Sequence, residues 1–262
     1  MRINCFYQSK FAYTIVPWQI REDLQRIKDS GADILTLNVL EQDHKAANEN
    51  IRLVLAEAEK VGLETWFVPE RWVGIFGGVN DFPSVFTIKN MHTAVRDEKG
   101  GILQTEVGPV SSLFHEKTQS FLRKKLKECF KSFGFKGVIW DRPYLPIDGK
   151  HTAIDYTLFF EKLNTDLRRQ YPSISIYWRN NSHSPTPIDG NASSISDIPT
   201  DKIVFFNHQN YISEQTNKME TELAELFKQQ PQMFCYYDYP ANVVAPQKSM
   251  EILEQFLKNH KR

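Results

Sequence analysis

Three carboxylate residues close apolar or aromatic runs along this 262-residue sequence. Glu70 ends the run WFVPE, Asp141 ends GVIWD, and Asp238 ends FCYYD. Cleavage of a glycosidic bond needs two carboxyl groups, because one protonates the leaving oxygen while the other attacks the anomeric carbon or activates water. These three residues are therefore our candidates for catalysis.

Two of the three candidates have aromatic neighbours in the sequence. Trp140 precedes Asp141, and Tyr237 precedes Asp238. Burial against aromatic rings would raise the pKa of a carboxyl group and keep it protonated near neutral pH, as a proton donor requires. A carboxylate after a strand can instead cap the next helix or pair with a basic neighbour, and Asp141 beside Arg142 could do that.

Further polar and aromatic residues stand at or near the ends of these and other apolar runs, and could bind the hydroxyl groups of a sugar. Trp72 and Trp178 could stack on a sugar face. His208 could act as a base or be a hydrogen-bonded structural residue. The full set of candidate ligand-binding residues is Trp72, Arg142, Tyr144, Trp178, Arg179, Asn180, Asn207, His208 and Tyr237.

The elements that must position these residues alternate between short β-branched or aromatic runs and amphipathic helical stretches. We predict strands over residues 3–8, 33–39, 64–68, 137–140, 173–178, 203–206 and 233–237, and helices over 17–30, 46–61, 115–133, 153–170, 213–229 and 247–261. This alternation predicts an α/β fold, a TIM-type (β/α) barrel with seven or eight parallel strands and a single domain over residues 1–262. The aromatic-rich stretch 70–112 is expected to be a long ordered loop after the third strand. In such barrels the catalytic groups stand at the C-terminal ends of the strands, where the candidates fall.

An open, doubly wound sheet shares the same alternation of strands and helices. Its first βα turn usually carries a glycine fingerprint for a nucleotide phosphate, and the turn at residues 8–17 has none. The barrel is therefore the favoured architecture.

Charge and hydropathy exclude several classes of protein. The 32 Lys and Arg residues balance the 32 Asp and Glu residues. With no net charge, the protein has no overall electrostatic attraction for nucleic acid or an anionic membrane. The first residues lack the pattern of a secretory signal, and no apolar run reaches the roughly 18 residues that span a bilayer, so we expect a cytoplasmic protein. The expected partner is a small-molecule or oligosaccharide substrate.

No motif for a metal or a cofactor stands out, and we expect neither. Cys5, Cys129 and Cys235 are far apart, without a CxxC or Cys/His cluster, and we expect them to be buried like small hydrophobic residues. No HxH or closely spaced carboxylate pair follows a strand.

The segment GFKGVIWDRP around Asp141 resembles the fourth-strand segment of glycoside-hydrolase-like barrels. The order of acidic residues, after strands four and seven, is also similar to that of the large clan of retaining (β/α)8 glycosidases. The resemblance implies acid/base catalysis by Asp141 and nucleophilic attack by Asp238, at positions where that clan has glutamate. Glu70 offers a second partner for Asp141, because strands three and four are neighbours in a barrel of sequential βα units. No single family is assigned.

Three functions stay open at this point. The first is a glycoside hydrolase that uses Asp141 with Asp238 or Glu70. The second is a lyase or isomerase of a sugar or sugar acid, with His208 as the base and Arg142 or Arg179 clamping a carboxylate or phosphate. The third is a barrel that binds glycan without cleaving it.

Overall fold

The computed structural model describes residues 1–7, 16–76, 83–105, 108–141, 145–146, 150–179, 203–208, 216–238 and 248–260. Seven parallel strands form one sheet: β1 (Arg2–Tyr7), β2 (Ile34–Leu40), β3 (Glu64–Glu70), β6 (Gly137–Asp141), β7 (Ser175–Arg179), β8 (Ile203–Phe206) and β9 (Met233–Asp238). Two short strands, β4 (Gln104–Thr105) and β5 (Gly108–Pro109), form a separate antiparallel pair.

The order of the large sheet decides between the two predicted architectures. It runs β7-β6-β3-β2-β1-β9-β8, so strands that follow one another in the chain lie side by side, and β1 also lies beside β9. The order breaks only between β7 and β8, which are the two edges among the described residues. A doubly wound sheet would instead reverse its order at a switch point. The α/β TIM-type fold is confirmed, with seven strands in this sheet over the described part of the chain.

Eight α-helices occur in the described residues. They are α1 (Pro17–Asp29), α2 (Asp43–Ala46), α3 (Asn48–Lys60), α4 (Val85–Lys89), α5 (Glu116–Lys127), α6 (Ala153–Gln170), α7 (Thr216–Lys228) and α8 (Lys248–His260). Their ends follow local chemistry: Pro17 opens α1, and a capping box between Thr152 and Asp155 opens α6. The helix predicted over 115–133 is α5 followed by a π-helix, Glu128–Phe133, that ends at Gly134 with φ 79°. None of the described helices is both long and apolar enough to cross a membrane.

The described residues cluster into two compact units. The first unit comprises Met1–Leu37, Ala47–Trp66 and Asp201–Arg262, and in it the Phe6 ring packs on those of Phe205 and Tyr237. The second comprises Asn38–Ala46 and Phe67–Thr200, and its core includes Trp72, Trp140 and Phe160. Cys5, Cys129 and Cys235 are buried, as predicted, and form no disulfide with one another.

The long ordered loop after the third strand is also confirmed. It contains a 3-10 turn at Trp72–Gly74, helix α4, a second 3-10 turn at Met91–Thr93, and the β4–β5 pair. Hydrogen bonds join distant parts of its described residues, such as Val95 N–H to the Val110 carbonyl and Ser111 N–H to the Val73 carbonyl.

Candidate active site

Asp141 and Arg179 form an ion pair at the C-terminal end of the second unit's strands. Asp141 is the last residue of β6, Arg179 is the last residue of β7, and the two pair in register. Arg179 Nη1 donates to Asp141 Oδ1 over 3.3 Å, and the Asp141 side chain is only 6% exposed. Water screens such a pair less than it screens a surface pair, so the pair fixes the Asp141 carboxylate more firmly.

Glu70 reaches the same edge of the sheet as Asp141. It is the last residue of β3, which lies beside β6, and its side chain is buried. Neighbouring strands lie about 4.8 Å apart, and the carboxyl ends of parallel strands meet at one edge. The second unit therefore supplies two of the three predicted carboxylates from adjacent strands.

A third carboxyl group at this edge belongs to Asp43, which was not among the candidates predicted from the sequence. It begins α2, three residues after the end of β2, and its Oδ2 accepts a hydrogen bond from Leu40 N–H over 2.8 Å. Its Oδ1 is buried and makes no hydrogen bond with any residue that the structure describes. Burial, together with the negative charge of Glu70, raises the pKa of Asp43 to about 6. One carboxyl group near Glu70 is therefore able to hold a proton under mildly acidic conditions.

The residue after Asp43 belongs to a buried cluster that resembles a thiol nucleophile with its base. His44 Nδ1 lies 2.9 Å from Glu128 Oε2, and its Nε2 lies 3.8 Å from Cys129 Sγ. Burial lowers the pKa of His44 to about 3 and raises the pKa of the Cys129 thiol. A thiol is a poor nucleophile in that state, so we assign this cluster to packing between α2 and the π-helix.

Asp238 belongs to an ion-pair network in the first unit that centres on Arg26. Arg26 of α1 contacts three carboxylates: Asp238 at 2.5 Å, Asp23 at 3.6 Å, and Glu254 of α8. The Tyr7 hydroxyl at the end of β1 donates to Asp23 over 2.9 Å. Burial raises the pKa of Asp238 to about 6, although the Arg26 guanidinium acts to lower it. The single positive charge of Arg26 therefore cannot neutralise all three carboxylates when they are ionised.

His208 follows β8 and is held by a residue of α8. Its Nδ1 lies 3.0 Å from the Ser249 hydroxyl, and both residues are buried. Burial lowers the pKa of His208 to about 4, so its imidazole is neutral at neutral pH. Asn207 is half-buried beside it, while Tyr237 is buried and its ring packs on that of Phe6.

The two tryptophans predicted to stack on sugar are buried. Trp72 is fully buried, and its indole N–H donates to the Val39 carbonyl over 2.8 Å. Trp178 is 2% exposed, and its ring packs edge-on against Phe160 with 4.7 Å between centroids. Their rings fill the core instead of presenting a face to solvent.

Three further predicted ligand-binding residues, Arg142, Tyr144 and Asn180, lie outside the described residues. Within the described part of the chain, no group of three or more His, Cys, Asp or Glu side chains is arranged to hold a metal ion.

No protein-family model matches the sequence, and comparison with curated proteins gave no match. The fold, in contrast, is similar to those of solved glycoside hydrolases. An α-galactosidase from Lactobacillus brevis has a TM-score of 0.63 and 13% identity, over 98% of this chain and 40% of its own. An α-amylase from Lactobacillus plantarum has a TM-score of 0.62 and 13% identity, over 98% of this chain and 79% of its own.

A variant of the GH36 α-galactosidase AgaA from Geobacillus stearothermophilus, solved in complex with raffinose, also has a similar fold. Its TM-score is 0.62 at 10% identity, over 98% of this chain and 41% of its own. This chain thus spans about two fifths of the length of the α-galactosidases that it matches. The likenesses confirm a glycoside-hydrolase-like fold and leave the family unassigned.

Proposed function

We propose that this protein is a glycoside hydrolase whose reaction depends on Asp141. The observation that supports this most is the placement of Asp141: a buried carboxylate at the C-terminal end of β6, fixed by Arg179 from β7. Catalytic residues of (β/α) barrels stand at that end of the strands. The fold shared with α-galactosidases and an α-amylase raises the expectation of hydrolysis, although fold does not determine activity.

Glu70 is the partner carboxylate that we favour for Asp141. Both residues belong to the second unit and end adjacent strands. A strand spacing of about 4.8 Å suits the roughly 5–5.5 Å between the two carboxyl groups of retaining glycosidases. Asp238 remains the other candidate named by the sequence, and its guanidinium partner, Arg26, belongs to the first unit.

The substrate class that we propose is a neutral oligosaccharide. The chain carries no net charge, and solved structures of similar fold hold raffinose and stachyose. α-Galactosides therefore come first among the substrates to test, followed by α-glucans, because the amylase is also similar.

The test is hydrolysis of a panel of nitrophenyl glycosides, raffinose and starch by the wild-type protein and by Asp141→Asn. We expect the substitution to lower kcat by about 10²–10⁴-fold, since the amide can neither transfer a proton nor act as a nucleophile. Asp166→Asn on α6 is the matched control, because that carboxylate pairs with Arg169 of the same helix and we place it outside the site. Hydrolysis by Asp141→Asn at the wild-type rate would overturn the proposal.

The roles of Asp141 and Glu70 can be separated by measuring how the loss of each residue affects substrates with poor and with good leaving groups. Loss of a general acid slows cleavage of poor leaving groups much more than that of dinitrophenolate, which departs without protonation. Loss of a nucleophile slows both kinds of substrate equally.

If the wild-type protein cleaves nothing but retains oligosaccharides on an affinity gel, the non-catalytic glycan-binding function replaces this proposal.

A further inference from the structure

Glu41 directly follows β2, and both of its carboxylate oxygens accept hydrogen bonds from the loop that follows β3. Its Oε1 accepts hydrogen bonds from Val73 N–H at 2.7 Å and from the Ser84 hydroxyl at 2.6 Å. Its Oε2 accepts one from Phe86 N–H at 2.7 Å. Glu41 is buried, so these donors replace the water that an exposed carboxylate would bind.

The turn that Glu41 holds has an unfavourable backbone. Arg71 has φ 58° and ψ 13°, and Val73 has φ 53° and ψ 16°, so two non-glycine residues take the left-handed conformation. This conformation is uncommon for any L-residue and is an outlier for a β-branched one. Such a backbone persists only where the surrounding contacts determine it, and it occurs most often at functional sites.

Other contacts of the turn also come from fixed parts of the second unit. The Trp72 indole N–H donates to the Val39 carbonyl, and Ser111 N–H donates to the Val73 carbonyl over 2.9 Å. The only charged group among these partners is Glu41, and a charged acceptor makes the stronger hydrogen bonds. Burial raises the pKa of Glu41, while the hydrogen bonds from Ser84, Phe86 and Val73 act to lower it and so favour the ionised form.

The turn begins at the residue after Glu70. We propose that Glu41 is a positioning residue: it holds the turn at residues 71–74, with the left-handed backbone of Arg71 and Val73, and thereby fixes Glu70 at the end of β3. Glu41 does not itself act on a substrate, because both of its carboxylate oxygens are occupied by protein donors. The effect on catalysis rests on the proposed function, whereas the effect on Glu70 does not.

Glu41→Gln tests the inference with little change of shape. The amide keeps one acceptor oxygen but replaces the other with an NH₂ group, which cannot accept a hydrogen bond. The turn therefore loses part of the hydrogen bonding that holds it. Glu64→Gln is the matched control, since Glu64 lies at the opposite end of β3 and bonds Arg2 and Trp66 in the first unit. Ser84→Ala is a milder variant that removes one of the three donors, for use if Glu41→Gln does not fold.

Three measurements are compared among these variants. In Glu41→Gln we expect amide hydrogen exchange at Val73 and Phe86 to speed up by about tenfold or more, and the Glu70 carboxyl ¹³C resonance to move. If the wild-type protein is a hydrolase, kcat should fall by about a hundredfold while KM changes little, because a catalytic group is misplaced. Glu64→Gln should leave all three unchanged, and Ser84→Ala should show smaller changes in the same direction.

The outcomes separate this inference from the proposed function. Unchanged exchange at Val73 and Phe86 would show that Glu41 does not hold the turn. Faster exchange with an unmoved Glu70 resonance would restrict Glu41 to anchoring the loop and overturn its positioning role. If the wild-type protein cleaves no glycoside, the proposed function fails, and the exchange and the Glu70 resonance still decide the role of Glu41.

Discussion

At the scale of single residues, the strand-end carboxylates of this protein differ in what they face. Asp141 faces the Arg179 guanidinium, Asp238 faces Arg26, and Glu41 faces neutral N–H and O–H donors. Among the described residues, one buried oxygen of Asp43 has no hydrogen-bond partner. These partners come from distant parts of the sequence, so the same local pattern, an acid after an apolar run, leads to different chemistry.

The stability of the protein should depend on pH through Asp238. Burial raises its folded-state pKa from 3.8 to about 6, so the folded protein binds a proton more tightly than the unfolded chain. The stability due to this proton is present below about pH 4 and is lost as the pH rises through 6. A shift of this size corresponds to about 3 kcal/mol of unfolding free energy.

Asp238→Asn tests that expectation, because the amide has no charge to bury. Urea unfolding at several pH values should show the wild-type stability, relative to the variant, falling by about 3 kcal/mol between pH 4 and pH 7. Asp43→Asn should remove a separate part of the same dependence, since burial also raises the pKa of Asp43 to about 6. A constant difference between wild type and Asp238→Asn across this range would contradict the buried-acid interpretation.

The sequence indicated where the candidate carboxylates stand in the fold, but not how the candidate aromatic residues are surrounded. Glu70, Asp141 and Asp238 are each the last residue of a strand, because an apolar run and the polar residue after it mark a strand end directly. Trp72 and Trp178 were predicted from the same position, but an indole fits a core as well as a binding site, and here both are buried. The local sequence does not show whether an indole ring lies in the core or in a binding site.

At the scale of elements, helices and strands with a clear period were predicted to within a few residues. Helix α6 was predicted over its full range, and β8 likewise. The sequence did not indicate α2, which has four residues and too few turns for a period, or the π-helix at Glu128–Phe133, whose apolar spacing is close to that of an α-helix. The long loop after β3 could be recognised as ordered, but its turns depend on contacts with Glu41 and Ser111.

Gly74 should be essential to that loop for two separate reasons. It has φ 75°, and a Cβ there would lie 2.6 Å from the Pro109 carbonyl oxygen and 3.0 Å from the Val110 Cα. Both neighbours are backbone atoms, which cannot move aside cheaply. We expect Gly74→Ala to lower the free energy of unfolding by about 2–5 kcal/mol.

Gly100→Ala provides the control for the backbone conformation alone. Gly100 has φ 81°, but nothing lies within 4 Å of a Cβ placed there. That substitution should cost only about 1–2 kcal/mol, the penalty of a left-handed L-residue. Thermal or urea unfolding of both variants measures the difference, and equal losses would mean that the contact with residues 109–110 does not constrain the loop.

At the scale of the whole molecule, the order of the strands fixes the fold class, and the fold class limits the function only loosely. A sheet whose consecutive strands are neighbours follows from repeated βα units, each returning beside the last with the same hand. This alternation was visible in the sequence, which is why the barrel could be predicted without a relative. The function depends on a few side chains at one edge, and many activities share this scaffold.

The prediction of one domain over residues 1–262 can be tested through the three cysteines. Cys5 and Cys235 belong to the first compact unit and Cys129 to the second, and all three thiols are buried. Burial also raises the thiol pKa of Cys5 and Cys129, so each should react with a thiol reagent only after unfolding. Strands β2 and β3 contribute residues to both units, which leads us to expect one cooperative transition.

Single-cysteine variants, each with the other two cysteines replaced by alanine, give the measurement. Pulsed labelling along a urea series should show Cys5, Cys129 and Cys235 becoming reactive at the same midpoint once each variant's own stability is taken into account. A midpoint for Cys129 that stands apart from those of Cys5 and Cys235 would mean that the two units unfold independently. In that case Asp141 and Glu70 would belong to a domain of their own, and the activity of that domain would have to be measured by itself.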